Sequence, residues 1–295
     1  MFQISPGDVV GVMAPSSYVE QDDIEKSKAL LESKGYDVFV HPQTFARQYQ
    51  SAGTHMDKLD ALHSLYADES ICAIWAAGGG NRSLYLLDDL DYELIAKNPK
   101  PLIGFSDASA LLNAIYANTG IEGFHAQIFK RLHDFEQLDE TLCALSGECS
   151  SMPMEEARIL RPGRAEGVII GGCLSLFHYL PGTNDCPNMQ GAILLLEDSG
   201  DEISRFDRMF AHMKRMGVFE QIGGLVLGEF HDIKDSSRPF GFSLEDITLE
   251  ALDGRDIPII FNAPFGHGKN LWPAPIGRKG VLDTATLSLR FTSLP

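Results

Sequence analysis

Ser106 stands in Gly104-Phe105-Ser106-Asp107-Ala108, where the apolar run "PLIGF" gives way to the helical pattern of "DASALL". A serine at such a junction can do one of two things. Its hydroxyl can cap the helix by accepting an N–H of the first turn. Alternatively, the turn can present Oγ as a nucleophile, as in the elbow Gly-x-Ser-x-Gly, where small neighbours let strand and helix approach closely. Ala108 stands at the last glycine of that pattern, so the match is partial. A helix N-terminus would also offer N–H groups and a positive dipole end to an oxyanion.

A serine nucleophile needs a base, usually a histidine oriented by a carboxylate. His267 lies in "APFGHGKN" between two glycines, just past an apolar run. It is either an accessible base or an ordinary loop histidine. Glu197 ends the apolar strand pattern "AILLLE", and a carboxylate at the end of a buried strand requires a partner. That partner can be a catalytic histidine or a plain salt bridge, and Asp198 is a rival for the role. The turn "GGGN" at 78–81 can cradle phosphate or lend N–H groups to an oxyanion hole. It lacks the Gly-Lys-Ser/Thr ending of a phosphate-binding loop. Cys173, with nothing nearby to activate it, reads as buried packing, and His125 in "GFHA" reads as structural.

These residues sit at the ends of elements the periodicity outlines. Strands are expected at 8–15, in "DVFVHP", in "ICAIWAAGGG" and in "PLIGF", alternating with helices. The helices fall at 20–34, from Thr54 to about Ala67 with Met56, Leu59, Leu62, Leu65 and Tyr66 on one side, through Leu84 to Leu90, and at 107–118. This is the βαβ pattern of a mostly parallel sheet, whose ligands bind at the C-terminal strand ends. Periodicity fades over 130–164, which places a domain boundary near 150–164. The first domain is then 1–150 and the second 164–295. The second resumes with "AEGVIIGG", a helix in "CLSLFHYL", "GAILLLED", a helix near 203–216, "IGGLVLGEF", a helix near 243–252, "IPIIFNAPFG" and a final strand pair.

Composition limits the partners. Lys and Arg total 24 against 41 Asp and Glu, a net charge of −17. That field repels nucleic acid and anionic lipid, so neither is an expected partner. The start has no signal-peptide pattern, and no apolar run approaches a bilayer span. The five cysteines are odd in number and show no metal-site spacing, so neither a disulfide framework nor zinc is expected, and a reduced, cytoplasmic protein is. The nine histidines form no ligand pair, so no metal or organic cofactor is expected.

Five blocks in order, "AAGGGNRSLYLLDDLD", "NPKPLIGFSDASALL", "RAEGVIIGGCLSLFHYLPGT", "LLLEDSGDEISRFDRM" and "APFGHGKNLWPAPIG", resemble the LD-carboxypeptidase family of serine peptidases over nearly the whole chain. Muramoyltetrapeptide carboxypeptidases and the microcin C immunity protein are among its members. The resemblance implies Ser106 as nucleophile, His267 as general base and Glu197 as its orienter. It implies an oxyanion hole from the backbone N–H of Asp107 and of Gly79 or Gly80. Asn81 and Arg82 directly follow that turn and are expected on the substrate side; Arg82 either binds a free terminal carboxylate, or faces solvent or pairs with Asp88 or Asp89. It also implies a Rossmann- or flavodoxin-like parallel-sheet N-terminal domain, a smaller β-rich α/β C-terminal domain, and a homodimer.

Two positions depart from the family pattern. A frequent Gly-Gly-Tyr-Gly is Gly79-Gly80-Asn81-Arg82 here, and Gly-Gly-Asn-Leu is Gly171-Gly172-Cys173-Leu174. The polar turn is closer to the microcin-immunity branch. That branch, however, resembles a version with a longer, aromatic-bearing segment before the glutamate. Here 91 positions separate Ser106 from Glu197, and 130–165 holds one aromatic side chain of the Phe, Trp and Tyr type, Phe135. The expected activity is therefore cleavage of an L,D-amide bond, releasing D-alanine from murein tetrapeptides. The near alternative is cleavage of an amide joining an amino acid to a nucleotide-like group. The distant one is a non-catalytic nucleotide-binding module using "GGGN".

Overall fold

The computed structural model describes residues 3–268 and 271–291. The chain forms two units: Met1–Cys149 with Pro273–Gly277, and Ser150–Trp272 with Arg278–Pro295.

In the first unit β1 (Val9–Met13), α1 (Gln21–Ser33), β2 (Asp37–Val40), α2 (His55–Ala67), β3 (Ile71–Ala76), α3 (Tyr92–Lys97), β4 (Leu102–Gly104), α4 (Ser109–Thr119), β5 (Gly123–His125) and α5 (Leu138–Leu145) follow in order. The strands lie 5-4-3-1-2 and all pair in parallel; a sixth, Ala274–Ile276, joins antiparallel beside β5. This is the flavodoxin-like order, whose ligand crevice lies where the chain reverses direction between β1 and β3. The loops leaving those strands are 14–17 and 77–81. β1 and β3 are almost entirely buried, as strands covered on both faces must be. Gly11 permits the close approach of α2, because a Cβ there would lie 2.9 Å from Leu65 Cδ2. On one face Trp75 and Phe129 meet edge to face at 6.0 Å among Val10, Val12, Ile103 and Phe124.

α2 begins with a reciprocal cap: Asp57 N–H donates to Thr54 Oγ1 at 3.1 Å and Thr54 N–H donates to Asp57 Oδ2 at 2.7 Å. Its inward face differs from the sequence expectation. Met56 is 58 % exposed, whereas Lys58 is only 2 % exposed. The expected helix through Leu84–Leu90 is a 3-10 segment, Ser83–Asp89. It stops because the Asp91 side chain accepts from Leu94 N–H at 2.8 Å and starts α3 afresh.

The second unit holds β6 (Ser151–Pro153), β7 (Arg158–Arg161), β8 (Arg164–Cys173), α6 (Leu174–Phe177), β9 (Ile193–Ser199), α7 (Ile203–Arg215), α8 (Val218–Gln221), β10 (Gly224–His231), α9 (Leu244–Ala251) and β11 (Ile259–Phe261). The chain then supplies β12, the Ala274–Ile276 strand of the first unit, and returns as β13 (Lys279–Asp283) and β14 (Ser288–Phe291). The sheet order is 6-14-13-8-9-10-11-7, with β8 to β11 parallel and antiparallel strands on either side. α7 buries Ile203, Phe206, Met209, Phe210 and Met213, a helical stripe, and exposes its basic residues. The expected "CLSLFHYL" helix lasts one turn, Leu174–Phe177, and the chain soon reaches Pro181-Gly182, which cannot continue one. Among the described residues no helix is long and apolar enough to cross a membrane.

The cysteine reading needs correction. Cys143 and Cys149 form a disulfide at the end of α5, their Cα atoms 5.3 Å apart. Counting cysteines overlooked a local pair that the unwinding helix end brings together: both Glu148 and Cys149 donate N–H to the Cys143 carbonyl. Cys72, Cys173 and Cys186 are free. Alkylation of the denatured, unreduced protein should therefore modify three cysteines, and five after reduction. Mass spectrometry finding five modified without reductant would contradict the bridge.

Candidate active site

Ser106 follows β4 and opens the short 3-10 turn, Ser106–Ala108, that leads into α4. Its φ is 60°, in the left-handed region. A capping serine instead takes an extended backbone and accepts a first-turn N–H. The N-cap residue of α4 is Ala108, with no side-chain cap. Ser106 is thus an elbow and not a cap. Small neighbours make the sharp turn possible. A Cβ on Gly104 would lie 2.8 Å from Ala76 Cβ and 3.1 Å from Ala108 Cβ. Ala108 serves here as the last glycine of the motif does elsewhere.

The glycine turn lies against this elbow. A Cβ on Gly79 would stand 3.0 Å from Ser106 Cβ and 3.1 Å from its Oγ, so glycine keeps the hydroxyl accessible. Gly80, at φ 125°, leaves room for Ser17, whose Oγ would lie 2.0 Å from an added Cβ. Ser17 N–H in turn holds the Gly79 carbonyl at 3.3 Å. Neither Gly79 nor Gly80 donates its own N–H to another described group.

Asp107 ties these loops together. Its buried carboxylate accepts Ser16 Oγ–H at 2.6 Å and Ser83 N–H at 2.9 Å, while Ser83 Oγ–H donates to the Asp107 carbonyl at 2.5 Å. The β1 loop, the glycine turn and the elbow are therefore tied together by hydrogen bonds. Sequence reasoning missed Ser16 and Ser83; the only signal was their place after strand β1 and after the glycine turn. Asn81 is exposed and not part of this network. Arg82, at φ 84°, makes no ion pair with the acidic neighbours Asp88 and Asp89; its guanidinium lies over the Tyr85 ring at 4.5 Å. His125 is 1 % exposed, its ring edge to face with Phe105 at 5.9 Å, a packing position.

The second unit supplies an acid–imidazole pair. Glu197, fully buried near the end of β9, accepts from His267 Nδ1–H at 2.7 Å. Gly266, at φ 126°, makes this approach possible, since a Cβ there would be 3.0 Å from Glu197 Oε2. The loop is strapped to β10 by the Glu229 N–H donating to Phe265 O at 2.7 Å. Asp198 points to the opposite side of the strand, as alternate strand residues must, and accepts from Ser175 N–H at 2.6 Å and Ser199 N–H at 2.8 Å. The rivalry between the two acids is thereby resolved by the pleat. Cys173 lies 3.2 Å from Ser175 Oγ and 3.8 Å from Asp198 Oδ2, and burial pushes its thiol well above the usual range. Burial thus disfavours the thiolate that a nucleophilic cysteine needs.

Burial alone would depress the His267 pKa, but the Glu197 charge and hydrogen bond, helped by Asp198, outweigh it and raise it above 6.5. Burial, then the Glu197 charge, pushes Asp198 up to about 6. Both groups hold protons more tightly folded than unfolded. The stability due to His267 is fully present below 6.5 and is lost as the pH rises through its higher folded pKa. That of Asp198 is fully present below its unfolded value of 3.8 and is lost as the pH rises through about 6.

A left-handed backbone costs a non-glycine residue about 1–2 kcal/mol, partly offset by the extra unfolded-state entropy of glycine, about 0.5–1 kcal/mol. Ser106→Gly should therefore be as stable as the parent or gain up to about 1 kcal/mol in urea unfolding. A loss above about 1 kcal/mol would mean that the serine side chain itself supports the fold.

Comparison with known proteins places the chain. Residues 10–126 match the LD-carboxypeptidase N-terminal domain and 166–282 the LD-carboxypeptidase C-terminal domain. A murein tetrapeptide carboxypeptidase of Pseudomonas aeruginosa is 30 % identical, with 93 % of this chain and 92 % of that protein covered. The microcin C7 self-immunity protein MccF of Escherichia coli is 27 % identical over 98 % of this chain and 94 % of its own. Among solved structures, MccF in complex with glutamyl sulfamoyl guanosine superposes with a TM-score of 0.90 at 23 % identity, covering 99 % and 98 % of the two chains. The muramoyltetrapeptide carboxypeptidase from Oxalobacter formigenes gives 0.87 at 23 %, covering 97 % and 99 %. At that identity the structures speak for the fold. The two domain matches speak for descent, and this chain belongs to the LD-carboxypeptidase family of serine peptidases.

Proposed function

We propose that this chain is a serine-type LD-carboxypeptidase that removes the terminal D-alanine from murein tetrapeptides. The observation that carries the reading is the left-handed, uncapped Ser106 at the strand–helix elbow. In this reading Ser106 Oγ attacks the carbonyl between the L-centre and the D-residue. His267 takes the serine proton on Nε2, since its Nδ1–H is committed to Glu197. The N–H groups of Asp107 and of Gly79 or Gly80 stabilise the oxyanion. The imidazolium then protonates the departing amine of D-alanine, leaving an acyl-enzyme. Water, deprotonated by His267, cleaves the ester and restores Ser106. Every step is a proton or acyl transfer, so the three side chains suffice. Asn81 and Arg82 belong to the substrate side. The reading places the enzyme in the cytoplasm, as a homodimer, acting on recycled muropeptides, where the Cys143–Cys149 bridge would have to persist against reducing thiols.

Ser106→Ala should fold normally and lose on the order of 10³-fold or more in kcat on a murein tetrapeptide. A folded variant retaining half its activity would remove Ser106 from the chemistry. The second reading, hydrolysis of an aminoacyl nucleotide, draws on the polar Asn81-Arg82 turn and on the likeness to MccF. Parallel assays of the tetrapeptide and an aminoacyl sulfamoyl adenylate separate the two, and the tetrapeptide should be the better substrate.

The base must be neutral to accept a proton. The acid limb of kcat/KM should therefore titrate above pH 6.5, following the raised His267. Glu197→Gln removes the charge that raises it, and the limb should move to lower pH while the rate falls. An unshifted limb would show that another group controls activity.

A further inference from the structure

The first unit contains a cavity of about 380 Å³ whose lining includes Lys58, Arg82, Tyr49, Tyr85, His55 and Ser51. The Lys58 side chain as a whole is 2 % exposed, and its ammonium opens on the cavity, where among the described residues it makes no hydrogen bond and no ion pair. An ammonium on a largely buried stem with no carboxylate bonded to it is costly, and proteins normally supply one. Burial, and then the charge of Arg82, lowers the Lys58 pKa. The second cation on the cavity wall, Arg82, also has no ion pair among the described residues. The third basic group, His55, already has its partner, Asp89, at 2.8 Å. Asp107 lies near enough to favour the Lys58 charge, but its Oδ2 is engaged by Ser16 and Ser83.

Two unpaired cations within reach of each other, in a protein of net charge −17, define a place for an anion. Its position relative to the elbow follows from the hydrogen bonds: Arg82 precedes Ser83, Ser83 is bonded to Asp107, and Asp107 follows Ser106. We propose that Lys58 and Arg82 together form the subsite for the free terminal carboxylate of the leaving D-residue. Arg82 can grip the carboxylate with two N–H groups, and Lys58 supplies a point charge from the buried side. The site thereby selects a chain end over an internal peptide bond. The inference rests on the carboxypeptidase reading above but is testable apart from it.

The probe is a murein tetrapeptide as the free acid and as its C-terminal amide, titrated calorimetrically into Ser106→Ala, which cannot turn it over. The acid should bind at least about tenfold more tightly, as expected for charged hydrogen bonds. In Ser106→Ala with Lys58→Met, the acid-to-amide preference should collapse toward one. Methionine keeps the length of the buried stem, and circular dichroism checks the fold. Lys58→Arg should retain the preference, and Arg82→Gln, at an exposed position, should lose it even if Lys58→Met fails to fold. An undiminished preference in Lys58→Met and Arg82→Gln, or equal weakening of both peptides, overturns the subsite. Tetrapeptide cleavage by the parent with such a result removes the subsite and keeps the activity. No cleavage, with a Lys58-dependent acid preference, removes the activity and keeps the subsite. Tighter, Lys58-dependent binding of adenosine monophosphate than of the acid would reassign the pocket to phosphate and overturn the proposal.

Discussion

A left-handed backbone at Ser106 is the constraint on which the first unit's architecture turns. Such a conformation costs about 1–2 kcal/mol for a residue with a side chain, and it persists only where the surroundings leave no alternative. Here they do so by contact. Gly104 lets β4 approach Ala76 and Ala108; Gly79 gives way to the serine side chain; Asp107 clamps the loops after β1 and β3 to the elbow. Each contact comes from a different part of the sequence, and the parallel order 5-4-3-1-2 brings them to the same strand ends.

Electrostatics in the second unit answers a different need. A half-buried imidazole in a protein of net charge −17 is held at Nδ1 by a carboxylate that is itself fully buried. The same charge that orients the ring makes it a stronger base, at the cost of protonating it at mildly acid pH. Stability and the proposed activity consequently lean in opposite directions. Protonated His267 favours the fold, whereas the general-base role proposed for it requires the neutral ring.

Much of this was legible in the sequence because the relevant signals are local. "GFSDA" marks a tight strand–helix junction, "LLLED" a buried carboxylate at a strand end, and "FGHGK" an unencumbered histidine. What the sequence left open was which of two readings held at each place. The φ of Ser106 and the pleat separating Glu197 from Asp198 are three-dimensional facts. Lys58 was illegible for a different reason. The pattern of α2 counts lysine as solvent-facing and Met56 as core, and tertiary packing reversed both. The Cys143–Cys149 bridge was hidden because it depends on how one helix end unwinds.

The central proposal is that Ser106 is a nucleophile activated by the His267–Glu197 pair. Its most direct test is covalent labelling with a fluorophosphonate, followed by peptide mapping. The account predicts one adduct, on the peptide carrying Ser106, formed by the native protein and abolished in His267→Ala. An active protein that stays unlabelled, or an adduct on another residue, would contradict it.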